Sequence, residues 1–257
     1  MGFQLTILGS NSAIPSFERH PTAQLLQHLD QRFLIDCGEG TQTQLSKYGI
    51  KTHRISKIFI SHLHGDHYFG LIGLLSTLHL QGRTAPLTLF APAELREIIA
   101  IQLSASQTKL RFDLNFVAVN PTRNAVLVDE KELTISSIVL NHRIPCTGFL
   151  FKEKANTEKS YAYCSDTIYD TSLIPIIANV DLLYHEATFM EDLIHRAKET
   201  FHTTTKEAAT LALNANVGKL IIGHFSSRYK ELAPLLAEAK SVFENTFLAI
   251  EGQTFDI

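Results

Sequence analysis

Short apolar runs, each closed by turn-forming residues, recur along the chain and predict β-strands. The first covers residues 1–7 and leads into a turn rich in Gly, Ser, Asn and Pro. The later runs cover residues 23–29, 32–35, 57–61, 87–90, 112–119, 133–140, 147–152, 161–164, 182–184, 220–223 and 247–251. The pattern therefore predicts a protein rich in β-sheet.

Segments with helical spacing lie between many of these strands, as expected for an α/β protein. The predicted helices cover residues 41–48, 71–80, 92–104, 204–216 and 229–243. Thr204 and Glu207 have the spacing of a capping box at the start of the fourth helix. No linker, repeat or low-complexity segment interrupts the pattern, so we expect a single domain over residues 1–257.

Metal-ligand residues are concentrated directly after the strand predicted at residues 57–61. His62, His64, Asp66 and His67 fall within six consecutive residues. Imidazole and carboxylate together suit Zn²⁺ or a similar divalent ion. Side chains alternate along an extended chain, so His62 and His64 point to the same side, and Asp66 and His67 face a neighbouring point. The alternative is a group of histidines that share a surface loop by chance.

Four further polar residues each close a predicted strand: His142, Asp166, Glu186 and His224. Taken alone, each is most simply explained as a turn residue. Open α/β sheets place ligands at one end of their strands, so these residues and the His62 loop can converge on one edge. Together they supply the number of ligands that a two-metal site needs.

Composition and charge narrow the class of protein. Of the 257 residues, 45% are hydrophobic and 19% are charged, as in ordinary soluble proteins. A net charge of −3 argues against a general nucleic-acid binder, although a local basic groove is compatible with it. No apolar run approaches the ~20 residues of a membrane span, and the N-terminal segment lacks the regions of a secretory signal. The three cysteines, Cys37, Cys146 and Cys164, form no regular framework, so we expect reduced thiols and a cytoplasmic location.

The motifs of the chain resemble those of the metallo-β-lactamase superfamily, and within it the ribonuclease Z branch of tRNA 3′-processing endonucleases. The superfamily motif is His62-Leu63-His64-Gly65-Asp66-His67. The branch is indicated by His185-Glu186-Ala187-Thr188 with a downstream His202, and by His224-Phe225-Ser226-Ser227-Arg228-Tyr229. Residues 36–42 and 165–167 match as well, so the resemblance covers nearly the whole chain.

This resemblance implies a four-layer α/β fold, the αββα sandwich, with two zinc ions at one edge, or Mn²⁺ or iron in their place. The first ion would be held by His62, His64 and His142. The second would be held by Asp66, His67 and His224, with Asp166 bridging. A water between the ions would be deprotonated near neutral pH and would attack phosphorus.

The resemblance also implies roles in catalysis and substrate binding. Asp66 is the proton acceptor of the family, and Glu186 would orient His202 to protonate or stabilise the leaving 3′ oxygen. The alternative for Glu186 and His202 is a structural ion pair. Arg19 matches an arginine in the loop that the family uses near the 3′ end of its substrate, although His20 replaces the usual asparagine. Arg228 is likewise expected to bind substrate.

The chain departs from the family at one place. Ribonuclease Z enzymes typically carry a Gly/Pro-rich arm between the motifs of His142 and Asp166, and this arm grips the tRNA elbow. Here residues 152–160 lead directly into Tyr161, which leaves room for a hairpin turn only. We therefore expect phosphodiester hydrolysis without the part that selects tRNA.

Three functions remain open on the sequence. The first is a zinc-dependent phosphodiesterase of ribonuclease Z type, with RNA or a tRNA 3′ end as the possible substrate. The second is a hydrolase of another small ester on the same scaffold: a cyclic nucleotide, thioester, lactone or sulfate ester. The third, a non-catalytic interaction protein, is disfavoured because every ligand position is filled. The resemblance implies a homodimer, and no membrane association is expected.

Overall fold

The computed structural model describes residues 2–154 and 158–257, and it arranges them around two β-sheets. The first sheet has the spatial order β14-β1-β2-β3-β4-β5-β6. Its strands are β1 (Phe3–Gly9), β2 (Ala23–His28), β3 (Gln31–Ile35), β4 (Ile55–Phe59), β5 (Leu87–Ala91), β6 (Leu114–Ala118) and β14 (Thr254–Asp256). Strands β3 to β6 are parallel, whereas β14, β1, β2 and β3 pair antiparallel.

The second sheet has the spatial order β13-β12-β11-β10-β9-β8-β7. Its strands are β7 (Val126–Asp129), β8 (Leu133–Leu140), β9 (Cys146–Glu153), β10 (Ser160–Cys164), β11 (Leu182–Glu186), β12 (Lys219–Gly223) and β13 (Thr246–Leu248). Strands β10 to β13 are parallel, and β9 runs antiparallel to both β8 and β10. Strand β8 therefore points in the same direction as β10.

Helices cover the outer faces of both sheets. They are α1 (Thr41–Lys47), α2 (Gly65–Tyr68), α3 (Leu71–Leu80), α4 (Leu95–Ala105), α5 (Ile194–Thr200), α6 (Thr205–Asn214) and α7 (Ala233–Lys240). Leucines of α1, α3 and α4 pack with Leu34 and Ile58 in one buried cluster on the first sheet. Helices α6 and α7 pack against β12 and β13 of the second sheet. No helix among the described residues is long and apolar enough to cross a bilayer.

Between the sheets lies a core of aromatic side chains. The rings of Phe59 and Phe149 have centroids 5.2 Å apart, and those of Phe33 and Phe151 are 5.9 Å apart, so β4 packs on β9 and β3 faces β9 as well. All four side chains are fully buried. Burying a large aromatic side chain contributes about 1.5–3 kcal/mol to stability. The resulting order of layers, helix, sheet, sheet and helix, confirms the predicted αββα sandwich.

The parallel strands place their carboxyl ends together at one edge of the sandwich, which we call the rim. In the first sheet β3 ends at Ile35 and β4 at Phe59. In the second sheet the strands β8, β10, β11 and β12 all end there. The rim is thus where the residues that follow these strands must meet.

The structure corrects several predicted boundaries. The helix predicted at 229–243 begins only at Ala233, because residues 226–229 form a turn and Pro234 is suited to the first helical turn. The strand predicted at 182–184 continues to Glu186, which pairs with Gly223. The capping box of Thr204 and Glu207 is present as predicted.

The connection between β9 and β10 is short. Strand β9 ends at Glu153 and β10 begins at Ser160. The two strands pair up to Lys152 and Ser160, next to the turn. Residues 155–157 of the predicted hairpin turn lie outside the described residues, but the strands on either side leave no room for a long insertion.

Candidate metal centre

Three strand ends at the rim adopt a backbone conformation that is unusual for residues other than glycine. The φ angles of Asp36, Asp166 and His224 are 55°, 24° and 58°. A left-handed backbone costs such residues roughly 1–2 kcal/mol each, so it persists only where the surroundings impose it. At each position the chain leaves a strand and turns its carboxylate or imidazole towards the rim.

One cluster of donor atoms is formed by His62, His64, His142 and Asp166, whose ligand atoms all lie within 4.8 Å of one another. His64 Nδ1 is 3.0 Å from His62 Nε2 and 3.2 Å from His142 Nε2. Asp166 Oδ2 is 3.5 Å from His62 Nε2 and 3.7 Å from His142 Nε2. The cluster joins the loop after β4 to the ends of β8 and β10.

The second cluster lies on the other side of Asp166 and contains Asp66, His67 and His224. Asp66 Oδ2 is 3.4 Å from His67 Nε2 and 3.3 Å from His224 Nε2. Asp166 Oδ1 is 3.3 Å from His67 Nε2 and 3.1 Å from His224 Nε2. One oxygen of Asp166 thus faces each cluster, which is the position expected of a bridging carboxylate.

Hydrogen bonds on the outer side of three imidazoles fix which nitrogen faces the centre. His62 Nδ1 donates to Ser61 Oγ at 3.0 Å, because this hydroxyl already donates its own proton to Asp36. His224 Nδ1 donates to Thr188 Oγ1 at 2.9 Å, since that hydroxyl donates to Glu186. His142 Nδ1 donates to the carbonyl oxygen of Phe201 at 3.0 Å. His62 and His142, whose pKa burial lowers, therefore present an unprotonated Nε2 to the centre, and Nε2 of His224 faces the centre as well.

These donor atoms fit a bound cation. His64 Nδ1 lies within 3.2 Å of both His62 Nε2 and His142 Nε2, and a proton on it can be shared with only one of them, whereas a cation among the three nitrogens would satisfy all of them. Among the described residues, buried His67 Nε2 makes no well-aligned hydrogen bond, although oxygens of Asp66 and Asp166 lie 3.4 and 3.3 Å away. A donor set of imidazoles and carboxylates is typical of zinc and similar divalent ions. The His/Asp cluster at the rim is thus compatible with metal binding.

The charge states support this interpretation. Burial lowers the pKa of His62, His64 and His142, and neighbouring histidines lower it further. Burial alone would raise the pKa of Asp66, but His67 and His224 hold it below its usual range. These three histidines are therefore neutral and Asp66 is a carboxylate at neutral pH. His67 differs: burial alone would lower its pKa, but the carboxylates of Asp166, Asp66 and Asp36 raise it well above its usual value.

Asp36 supports the centre from outside, a role that the sequence did not reveal. Its Oδ2 accepts hydrogen bonds from His67 Nδ1 at 2.8 Å and from the Tyr163 hydroxyl at 2.5 Å. The backbone N–H and the hydroxyl of Ser61 donate to the same carboxylate. Asp36 thereby orients both His67 and the start of the His62 loop. Its place in a D-x-G-x-G-T sequence after a strand was a signal, although a plain turn was the simpler interpretation.

Gly38 allows the segment after Asp36 to pack closely against the loop that contains His62 and Asp66. A Cβ atom on Gly38 would lie 2.4 Å from the carbonyl oxygen of Asp66. Only glycine fits such a close approach of two backbones.

Glu186 lies beside the two clusters, and His202 forms a third group of candidate metal ligands with Asp166 and His224. Glu186 Oε1 accepts a hydrogen bond from His202 Nδ1 at 2.8 Å. The remaining capacity of this buried carboxylate is taken by the backbone N–H groups of Thr167 and Thr188 and by the Thr188 hydroxyl. The His202 ring lies 5.2 Å from His142 and 5.3 Å from His224, measured between centroids.

The carboxylate keeps this histidine charged. Burial alone would lower the pKa of His202, but the Glu186 carboxylate outweighs it and raises the pKa to about 9. His202 thus holds a proton at neutral pH and has Nε2 free on the side of the clusters.

The two predicted substrate-binding arginines lie at the rim in different settings. Arg19 donates to Asn11 Oδ1 and to the carbonyl oxygens of Tyr229 and Lys230, which leaves two of its five N–H groups unused. Arg228 is exposed, and its guanidinium carbon lies 5.0 Å from the ring centroid of Phe189. Arg19 therefore links the loop after β1 to the loop after β12, whereas Arg228 is accessible to a ligand.

Similar proteins share both the sequence and the fold. A family model described as Anti-Pycsar protein Apyc1 matches residues 3–244. Ribonuclease Z of Parabacteroides distasonis is 40% identical over 99% of this chain and 99% of its own length. The short form of human tRNase Z is 33% identical, with a TM-score of 0.86 over 99% of both chains. The metallo-β-lactamase fold protein YhfI of Bacillus subtilis is 22% identical, with a TM-score of 0.83 over both whole chains.

The fold, the donor clusters and the relatives agree on one class of protein. The chain is a metal-dependent hydrolase of the metallo-β-lactamase fold that belongs to the ribonuclease Z family and to the family that the Apyc1 model describes.

Proposed function

We propose that the chain hydrolyses phosphodiester bonds in RNA by a two-metal reaction of ribonuclease Z type. The observation that carries this proposal is the position of Asp166, with one oxygen towards each of two imidazole clusters. A carboxylate with one oxygen towards each of two ligand clusters suits a pair of cations that act on one phosphate. The Glu186–His202 pair beside it supplies a proton donor.

We infer that the two ions are zinc, with Mn²⁺ or iron as the alternative. His62, His64 and His142 would hold the first ion, and Asp66, His67 and His224 the second, with Asp166 shared. The mixture of neutral imidazoles and carboxylates supports this assignment. When bound, the ions supply Lewis acidity for the phosphate and lower the pKa of a water molecule.

The residues of the chain then divide the proton transfers between them. Asp66 accepts the proton that the attacking water loses as its oxygen bonds to phosphorus. His202, kept protonated by Glu186, donates from Nε2 to the 3′ oxygen as the bond from that oxygen to phosphorus breaks. Arg228, and the two unused N–H groups of Arg19, are available to phosphate oxygens.

The substrate is expected to be smaller or less structured than pre-tRNA. The alignment with the Parabacteroides relative extends over 301 positions, whereas this chain has 257 residues. The relative therefore contains several tens of residues without a counterpart here. The short β9–β10 connection supports their assignment to the missing arm. Contacts remote from the reacting phosphate contribute to rate and selectivity, so cleavage of pre-tRNA by the lone protein should be weak or absent.

A second candidate is the hydrolysis of a small phosphodiester such as a cyclic nucleotide. One observation favours it: the short β9–β10 connection, which leaves no arm to grip a large structured RNA. Both candidates use the same clusters and differ only in the substrate. A panel of cyclic nucleotides, thioesters, lactones and sulfate esters, assayed beside RNA at matched zinc content, separates them.

The test of the proposal is the hydrolysis of bis(p-nitrophenyl) phosphate by zinc-loaded protein of measured metal content. Asp66→Ala should reduce this hydrolysis to the rate of the buffer control, because it removes both a ligand and the proton acceptor. Asp113→Ala, which changes an exposed carboxylate at the start of β6, should leave it unchanged. Hydrolysis that persists in Asp66→Ala after metal removal would contradict the proposal. Efficient cleavage at a tRNA 3′ end would show that the arm is dispensable.

We also propose a cytoplasmic homodimer. Cys37, Cys146 and Cys164 are free and buried, which supports a reducing compartment. Exposed apolar side chains on or next to α3 and α4, namely Phe69, Leu80 and Ile101, support self-association. Light scattering at several protein concentrations tests the oligomeric state.

A further inference from the structure

The loop between β1 and β2, residues 10–22, is fastened to the metal centre. The backbone N–H of Ala13 donates to Asp66 Oδ2 at 2.8 Å. The backbone N–H of Ser12 donates to the carbonyl oxygen of Phe225, the residue after His224, at 2.9 Å. The loop thus lies on the rim directly beside the second cluster.

The tip of this loop is a two-residue turn with a strained backbone. Ser16 and Arg19 exchange both of their backbone hydrogen bonds, at 3.0 and 3.1 Å. The two residues between them, Phe17 and Glu18, have φ angles of 53° and 61°. Turns with two positive φ angles are normally built from Asn and Gly, so a bulky residue costs free energy here. Such strain is typical of positions that serve a ligand rather than the fold.

The turn exposes the ring of Phe17 to solvent beside the immobilised guanidinium of Arg19. Phe17 is 48% exposed, although it is one of the largest apolar side chains in the protein. The guanidinium carbon of Arg19 lies 5.4 Å from its ring centroid. Three hydrogen bonds to Asn11, Tyr229 and Lys230 hold that guanidinium in place. A cation therefore lies over the Phe17 ring, and about half of the residue remains exposed to solvent.

We propose that Phe17 is a stacking platform for a nucleobase next to the scissile phosphate. This inference rests on the proposed function, since it takes the substrate to be a nucleotide. The ring offers no charge to a phosphate, and its neighbour Glu18 would repel one. Bases, by contrast, stack on aromatic side chains whatever their sequence. Phe17 therefore contributes to substrate binding and to the preference for base-bearing diesters, while Asp66 and His202 perform the chemistry.

The experiment compares diribonucleotides that carry both bases with analogues in which one ribose is abasic, on the 5′ or the 3′ side. Phe17→Leu keeps an apolar side chain but removes the ring. It should raise KM for the complete diribonucleotide on the order of tenfold, with kcat unchanged. For one of the two abasic analogues the variant and the natural protein should have the same KM. That analogue identifies the side on which the stacked base lies.

Three controls separate stacking from a structural effect. Phe17→Tyr keeps the ring and should preserve the natural KM. Ile14→Ala truncates a side chain of the same loop that is 55% exposed, and it should not change KM. The fluorescence of a diribonucleotide containing 2-aminopurine should be quenched by the natural protein and by Phe17→Tyr, but not by Phe17→Leu.

Two results would overturn the inference: an unchanged KM in Phe17→Leu, or an equal rise in KM for all three substrates. Failure of the proposed function is distinguishable from either. In that case zinc-loaded natural protein would cleave neither the diribonucleotide nor bis(p-nitrophenyl) phosphate, and 2-aminopurine would report no binding.

Discussion

The two edges of the sandwich contain buried or half-buried titratable groups arranged in opposite ways. At the rim, imidazole nitrogens face one another, as His62 and His64 do at 3.0 Å. At the opposite edge, acids and bases are paired. Asp181 accepts hydrogen bonds from Lys159 at 2.8 Å and from Ser160 at 2.9 Å. His28 and Glu153 form a second pair at 3.0 Å, buried between the sheets.

This difference distinguishes side chains that serve catalysis from side chains that stabilise the fold. At the opposite edge the Lys159–Asp181 pair is complementary by itself, so its charges stabilise the folded chain. At the rim, among the described residues, imidazole nitrogens and carboxylate oxygens crowd around two points, an arrangement that suits a bound cation better than it suits the folded chain alone. Removing a group from the rim should therefore change chemistry more than stability, and removing one from the opposite edge should do the reverse.

The largest effect in the following tests is expected at the proton donor. His202→Ala should reduce kcat for a diribonucleotide by about 10²–10⁴-fold, because the leaving 3′ oxygen then lacks a proton. Hydrolysis of bis(p-nitrophenyl) phosphate should change little, since p-nitrophenolate leaves without one. His195→Ala, at an exposed position of α5, is the control. An equal loss for both substrates would indicate a structural ion pair instead of a proton donor.

A smaller effect is expected at Asp36. Asp36→Asn should weaken metal binding by about 10–100-fold, since a ligating histidine depends on the hydrogen bond made by its other nitrogen. Competition with a chromophoric chelator measures the affinity, and activity should recover at saturating zinc. Tyr163→Phe removes one donor to the same carboxylate and should have a weaker effect. If Asp36→Asn bound zinc as tightly as the natural chain, the supporting role would be refuted.

The smallest effect is expected at the opposite edge, and it should depend on pH. Burial alone would raise the pKa of Asp181, but Lys159 and Ser160 lower it below its unfolded value of about 3.9. The stabilisation is thus fully present above that value and is lost as the pH falls through the lower folded pKa. Asp181→Asn should cost about 0.2–1 kcal/mol of unfolding free energy at pH 7.

Urea unfolding at a series of pH values measures this difference, in which the contribution of bound metal cancels. The cost of Asp181→Asn should shrink towards zero in acid. Asp30→Asn, in the exposed β2–β3 turn, should show no such dependence. A difference that stays constant with pH would mean that the Lys159–Asp181 pair adds nothing.

The rim was more predictable from the sequence than the outer elements. His142, Asp166 and His224 follow apolar strands, and parallel strands end on one side, so their convergence could be inferred. Helix α5 was missed because seven residues with only Ala197 buried leave no apolar stripe. Strand β7 was missed because it is short and Val126 is 62% exposed.

The residues that support the site could not be predicted from the sequence for a different reason. Asp36 acts through contacts with His67 and Tyr163, which lie 31 and 127 residues away in sequence. The turn of Phe17 and Glu18 contains neither Gly nor Asn, so no turn signal marks it. The assignment of the seven metal ligands and the single domain over residues 1–257 stay predictions, which metal analysis and limited proteolysis can test.

The left-handed strand ends at Asp36, Asp166 and His224 also bear on how such proteins diverge. Each position costs the folded chain free energy in two ways, by its backbone conformation and by the burial of a polar group. Replacement of Asp166 or His224 by glycine would therefore relieve part of that cost, while it removes a proposed metal ligand. Inactive descendants should arise readily on this scaffold, and only continued selection for turnover keeps the rim intact.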